Sequence, residues 1–480
     1  MNARRLFRAR GTQLRCSPVA ALALALLAGC AQPPPAPLAP VSGVRYEFVL
    51  LGDEGRAVAR AITSDAECPA IELDGRAQPM DVRARPAQFP ERPKRFGSGS
   101  AKPAVFPVLV CEKAIPAGVS RAAIDGRALP LPKALPQRIV ILGDTGCRMA
   151  AYGDAFQACN DPAAWPFAAI SDSAAATAPD LVIHVGDYHY REDPCPAGNA
   201  GCAGSPWGYG WDVWEADLFA PSRRLLAAAP WIVVRGNHES YGRAGLGWWR
   251  FLDPRPFDPR QSCENPADDA SGDYSEPYAV PVSMAGAADT QFIVFDSSLV
   301  GIAPLATSDP MYRNYKAQFE RAFALAARRP DNFFMLHHPV LAFAGNPGRP
   351  ESPYPGNAGL QSVLETLHPA VLFPPGVQAS LAGHNHVFQV VSFATPQPAQ
   401  FVLGNGGDWL DVKLPVPFPP GLTPAPGAIV AGLTAIREFG FTTIERDGAG
   451  WRFTPRDARG APMATCTLGG RNATCVTPGR

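Results

Sequence analysis

Neither sign of charge is in excess in this sequence: Lys plus Arg and Asp plus Glu each number 43. The chain therefore has no global basic field to draw nucleic acid or an anionic membrane surface, and any anion it binds must be held locally. Charge is also sparse, at 18% of residues against 46% apolar, which excludes extended disorder as the state of the body. Cysteines in the paired short spacing of a zinc site are lacking among the eleven present. The apolar stretch from Val19 to Leu27 is too short to span a bilayer as a permanent helix.

Proline and glycine are plentiful instead, 53 and 45, and imply many turns and long irregular connections, where functional side chains tend to sit. A length of 480 residues predicts two or more domains. Residues 1–30 read as an address: Arg4, Arg5, Arg8, Arg10 and Arg15 form a basic region before the apolar stretch, which ends in Leu27-Ala28-Gly29-Cys30. That tetrapeptide resembles the bacterial lipobox, in which the cysteine becomes the lipidated first residue. The expectation is an exported, lipid-anchored protein of the cell envelope whose only membrane partner is reached through Cys30, with the proline-rich segment 31–42 as a stiff tether.

Export implies an oxidising compartment, where the remaining cysteines are read as disulfide partners. Proximity suggests Cys147 with Cys159, Cys195 with Cys202 and Cys466 with Cys475, and leaves Cys68 with Cys111 and an unpaired Cys263, although connectivity is not determined by sequence. Residues 43–136 alternate short strand-like runs (Tyr46 to Leu51, Ala104 to Cys111) with Gly/Pro turns, which predicts a small β domain. At Arg138 the texture changes to apolar strands, Ile139 to Leu142, Leu181 to Val185, Trp231 to Val234, Phe292 to Phe295, Phe333 to Leu336 and Val377 to Ala382. Helical patterns lie between several, such as Tyr312 to Arg329 with apolar positions 319, 323 and 326 on one face. This alternation predicts an α/β domain over 137–455, followed by a tail, 456–480.

Five polar clusters follow five of those strands: Gly143-Asp144-Thr145-Gly146, Gly186-Asp187-Tyr188-His189-Tyr190, Gly236-Asn237-His238-Glu239, His337-His338-Pro339 and Gly383-His384-Asn385-His386. Ligands in open α/β sheets collect beyond the carboxyl ends of the strands, so the clusters should converge. Six of the eight histidines (189, 238, 337, 338, 384, 386) fall inside them. Carboxylates, an amide oxygen, a phenol and imidazoles suit divalent or trivalent first-row metals, and using them all takes two ions bridged by one carboxylate, about 3.5–4 Å apart. Alone, an Asp or Asn after a strand is usually a turn residue and a His pair two apart a surface pair; their concentration argues for ligation.

In this order the clusters resemble the signature of the calcineurin-like metallophosphoesterases. Gly-Asp-x-Gly and Gly-Asp-x-x-Tyr point to the purple acid phosphatase-like branch, because Gly146 stands where most other relatives carry His, and Tyr190 is present instead. The likeness covers roughly residues 138–410. It implies a four-layer α/β/β/α sandwich preceded by the small all-β domain. It also implies one metal held by Asp144, Tyr190, His386 and bridging Asp187, and a second held by Asp187, Asn237, His337 and His384, with His238 binding phosphate or protonating the leaving alcohol. The implied activity is acid phosphatase-like hydrolysis of a small phosphoester by a metal-bound hydroxide, with Fe(III) at the first site and Fe, Zn or Mn at the second. A phosphodiesterase or nucleotidase on the same scaffold is the alternative, distinguished by diester against monoester activity. A non-catalytic surface-binding lipoprotein would lack ligands, and none is missing. His338 is expected beside the site and not on a metal, His184 and His368 to be structural, Arg148 and Arg235 to be paired or solvated, and Pro194 to Trp214 and Gly345 to Asn357 to form the rim.

Overall fold

Long buried apolar runs become the central strands of two sheets. In the computed structural model, which describes residues 43–92, 101–269, 273–284 and 290–477, Arg138–Leu142, Leu181–His184 and Trp231–Val233 pair in parallel. In the second sheet Thr290–Val294, Asp331–Met335, Val377–Ala382 and Ala399–Leu403 do the same. Such strands are covered on both faces, which is why they read as unbroken apolar runs without alternation. The leader 1–30 with Cys30 and the tether 31–42 lie outside the described residues. Among those described, no helix is long and apolar enough to cross a membrane.

The period of two along each strand sorts side chains into layers. Ile139, Ile141, Ile183 and Ile232 face Phe292, Phe333, Met335 and Leu381 of the other sheet across one core. Their neighbours Val140, Leu142, Val182 and Val233 face outward onto Phe167 and Ile170 of helix Phe167–Ala176 and onto Leu225 and Leu226 of helix Ala220–Ala228. On the far side, Ile293, Phe334 and Leu336 pack on Tyr315 and Phe319 of helix Pro310–Ala326 and on Leu360 and Leu364 of helix Ala358–Leu367. The result is the four-layer α/β/β/α sandwich. Each fully buried aliphatic or aromatic side chain contributes about 1.5–3 kcal/mol to it.

The helix expected from 312 to 329 begins at Pro310 and ends at Ala326. Asp309 caps its start by accepting from the amide of Met311, and Pro310 occupies a first-turn position where no amide is needed. Its end is set by buried Asn332, whose side chain donates to the carbonyls of Ala326 and Arg329.

The expected all-β region at 43–136 is present, and part of it continues the larger sheet: Val44–Leu51 pairs in parallel with Trp231–Val233 and antiparallel with Ala57–Thr63, so that sheet has eleven strands. Within the expected C-terminal segment, Thr465–Gly469 and Asn472–Val476 form a hairpin at the opposite edge of that sheet. The change of texture at Arg138 marks a change of connection, from turns to helices, within one compact unit. The expected strand 104–111 is split into Ala104–Phe106 and Leu109–Ile115 around Pro107, which has no amide to donate to a ladder. The three disulfides that proximity suggested form, as does the remaining pair Cys68–Cys111, and Cys263 is free and buried.

Candidate metal centre

All five clusters hang from the carboxyl ends of parallel strands. Asp144, Asp187 and His384 sit there with φ of 57°, 57° and 70°, a left-handed conformation rare outside glycine, which turns each side chain back over its strand end. Two glycines make room. A Cβ on Gly236 would stand 2.1 Å from Asp187 Oδ1, and one on Gly186 2.5 Å from His337 Nδ1. Glu239 ties the loops together, its carboxylate accepting from the amides of Asp187, Gly236, Tyr188 and His189.

The seven residues expected as ligands come together in two groups that share Asp187. In the first, Tyr190 Oη lies 3.0 Å from Asp144 Oδ1, 2.9 Å from Asp187 Oδ2 and 3.0 Å from His386 Nε2. In the second, Asn237 Oδ1 lies 3.0 Å from both His337 Nε2 and His384 Nδ1, and His337 Nε2 is 3.1 Å from Asp187 Oδ2. Asp187, His337 and His384 are close enough to share one ion.

The donor set fits cations. His337 Nδ1 is 3.0 Å from the carbonyl of Val185 and His386 Nδ1 2.8 Å from that of Trp409, so each donates outward and turns the lone pair of Nε2 into the site. There it meets further acceptors, and one phenol proton on Tyr190 cannot satisfy three neighbours. Positive charge must fill the deficit, as protons or as metal ions. The buried charges press the same way. Burial pulls both imidazoles down, yet Asp187 beside His337 and Asp408 beside His386 outweigh it, and the two are pushed up to about 9 and about 10. Burial, reinforced by the carboxylates of Asp144 and Asp187, holds the Tyr190 phenol well above its usual range, and a bound cation reverses that sign.

His238 lies beside this set without joining it. Its amide donates to Asp187 Oδ1 at 2.9 Å, its ring centroid is 3.9 Å from that of Tyr190, and Nε2 is 3.9 Å from Asp187 Oδ2. Burial first, then the Arg243 guanidinium, lower its pKa to about 4.

The remaining histidines lie outside the two donor groups. His338 turns Nδ1 to Ser297 Oγ at 3.1 Å. His184 is buried between the Gly186 amide and Thr145 Oγ1, His189 bonds the carbonyl of Gly208, and His368 ends helix Ala358–Leu367. Arg235 is buried with Asp273 and Asp296, and Arg148 pairs with Asp408 over the Tyr190 ring. Of the expected rim, Tyr209 in 194–214 bonds Arg243, while Gly345 of the second segment packs on Val412.

Sequence reasoning missed Asp408, whose Oδ2 is 3.4 Å from His386 Nε2, and Asp411, which accepts from the His386 amide. A signal existed: the strand Ala399–Leu403 runs into Gly404-Asn405-Gly406-Gly407-Asp408, the same apolar-run-then-Gly/Asp pattern as the other clusters. Glu192 and Arg243, which flank His238, carried no such signal.

The family model for calcineurin-like phosphoesterases matches residues 137–388. The chain belongs to that family. Membership makes it a metal-dependent phosphoester hydrolase and implies a dinuclear metal centre; Asp187, His337 and His384 lie close enough together to hold one ion. Among solved structures, purple acid phosphatase PPD1 from yellow lupin (Lupinus luteus) seeds is similar at 14% identity and a TM-score of 0.53, over 91% of this chain and 74% of that one. A structure of PhoD aligns at 12% identity and a TM-score of 0.46, over 91% and 92%. The first likeness is one of fold. No curated protein matches in sequence.

Proposed function

We propose that this phosphoester hydrolase works with two ions that share Asp187 and acts on small phosphomonoesters in the manner of an acid phosphatase. The observation that carries the reading is the pair of donor groups meeting at one buried carboxylate. Asp144, Tyr190 and His386 would complete the first site, and Asn237, His337 and His384 the second. The ions supply Lewis acidity, polarising phosphoryl oxygens and lowering the pKa of water, a trivalent ion more strongly than a divalent one. Around them the chain's own groups orient and protonate: Glu239 holds the loops of Asp187 and Asn237 in register, and His238, beside the shared carboxylate, donates to the phosphoryl group or the leaving alcohol.

The two sites differ in charge. Two carboxylates and a phenol face the first, while the second offers the shared carboxylate and neutral donors, so a hard trivalent ion, Fe(III), suits the first and Fe, Zn or Mn the second. The protein purified after iron-replete expression should be coloured by phenolate-to-iron charge transfer, hydrolyse p-nitrophenyl phosphate faster than its bis diester, and work best at acidic pH. Tyr190→Phe should lose the visible band. A colourless but fully active wild type, or a band that survives in Tyr190→Phe, would remove the iron–phenolate assignment and leave the hydrolase standing.

The cellular setting is likewise proposed: export, lipidation at Cys30 and retention at the cell envelope. Four disulfides are compatible with an oxidising compartment. Cys30→Ala should move the protein from the membrane fraction to the soluble one. An unchanged membrane fraction would refute the anchor.

A further inference from the structure

Tyr190 carries on its ring a charged pair that the two donor groups do not include. The Arg148 guanidinium lies over the phenol, with its central carbon 4.9 Å from the ring centroid. Its Nε donates to Asp408 Oδ1 at 3.1 Å and its Nη2 to Asp408 Oδ2, a two-pronged grip on a fully buried carboxylate. Asp408 in turn faces the metal donors, with Oδ2 3.4 Å from His386 Nε2 and its amide donating to the carbonyl of Asp144. Gln157 closes the frame: its Oε1 accepts from the Arg148 amide, and its Nε2 donates to the carbonyl of Gly407. The cation is thus held against the ring, and the anion against the donors that Tyr190 meets at its hydroxyl end.

A guanidinium gripped at two nitrogens keeps its plane and its place. A cation over an aromatic face is attracted by the electron density of the ring, and more strongly once the phenol is ionised. An iron-bound phenolate gives density to the ion, and its colour comes from moving an electron the same way, out of a filled ring orbital into an empty one on iron. A cation over the ring lowers the filled orbital, and an anion near the ion raises the empty one, so both members of the pair widen the gap. Resting on the reading of Tyr190 as a phenolate ligand of Fe(III), we propose that Arg148, placed by Asp408, acts through Tyr190: it holds electron density on the ring and so keeps the first ion a strong Lewis acid, without touching the substrate. A neutral side chain at 148 would let the phenolate donate more, and the ion would polarise the phosphoryl group less.

The visible band of the iron-loaded protein tests this apart from activity. In Arg148→Gln the band should move to longer wavelength at unchanged iron content and intensity. On p-nitrophenyl phosphate kcat should fall about 10-fold, the low end of the loss for a group that tunes a metal ligand. Arg148→Lys, which keeps the charge but not the planar fork, should leave the band between the two. Asp408→Asn should also shift it to longer wavelength, and it carries the test if Arg148→Gln does not fold. A band that stays in place in the variant measured would overturn the proposal. So would loss of iron together with the band, because Arg148 would then only hold the site together. A raised KM and weaker inhibition by inorganic phosphate, with the band unmoved, would mean that Arg148 grips phosphate instead. The two readings fail separately. A colourless wild type, or a band that survives in Tyr190→Phe, removes the iron–phenolate assignment and this role with it; a band that Tyr190→Phe abolishes and Arg148→Gln leaves in place refutes only the role of Arg148.

Discussion

Asp187→Asn is expected to abolish phosphoester hydrolysis and to strip bound metal. The substitution is nearly isosteric, and asparagine tolerates the left-handed backbone that Asp187 adopts at φ 57°, so the fold should persist. The neutral amide can still accept from the His238 amide, as Oδ1 does now. Its Nδ2, however, would stand where Oδ2 approaches Tyr190 Oη at 2.9 Å and His337 Nε2 at 3.1 Å, and one negative charge shared by both sites would be gone. Even residues that merely orient a ligand cost 10–100-fold when removed, so loss of the shared ligand should cost on the order of 10³-fold or more in metal affinity. Metal content by elemental analysis and turnover on p-nitrophenyl phosphate decide the matter, with circular dichroism to verify folding. Two retained ions and near wild-type turnover would end the shared-carboxylate model.

His238→Ala should lower kcat for an alkyl phosphate by on the order of 10² to 10⁴, the usual contribution of a positioned proton donor, with metal content mostly retained. Retention is expected because the contact between residue 238 and Asp187 Oδ1 runs through the backbone amide, which alanine keeps, and because His238 Nε2 stands 3.9 Å from Asp187 Oδ2, outside the donor clusters. The variant leaves Arg243 and Glu192 paired with each other but facing a vacated ring. Loss of metal in this variant would instead make His238 a ligand.

By itself the sequence determined the features whose chemistry is local. Asp144, Asp187, Asn237, His337 and His384 each sit within a few residues of the end of an apolar run, and such a run dictates a buried parallel strand wherever it pairs. Order along the chain and donor type therefore marked the five clusters, and the family resemblance they carry named the ligand candidates within them. The disulfides between Cys147 and Cys159, Cys195 and Cys202, and Cys466 and Cys475 were legible because only 12, 7 and 9 residues separate the partners. Tertiary structure alone decided what depends on distant segments meeting. Val44–Leu51 carries no mark of its pairing with Trp231–Val233, because backbone hydrogen bonds are the same for every partner and the choice is made by packing. Asp408 reaches Arg148 across 260 residues, and Arg243 reaches Glu192 across 51, from loops with no shared periodicity. Such contacts are set by how two sheets stack and where their strand ends fall, a property of the assembled core that no local pattern encodes.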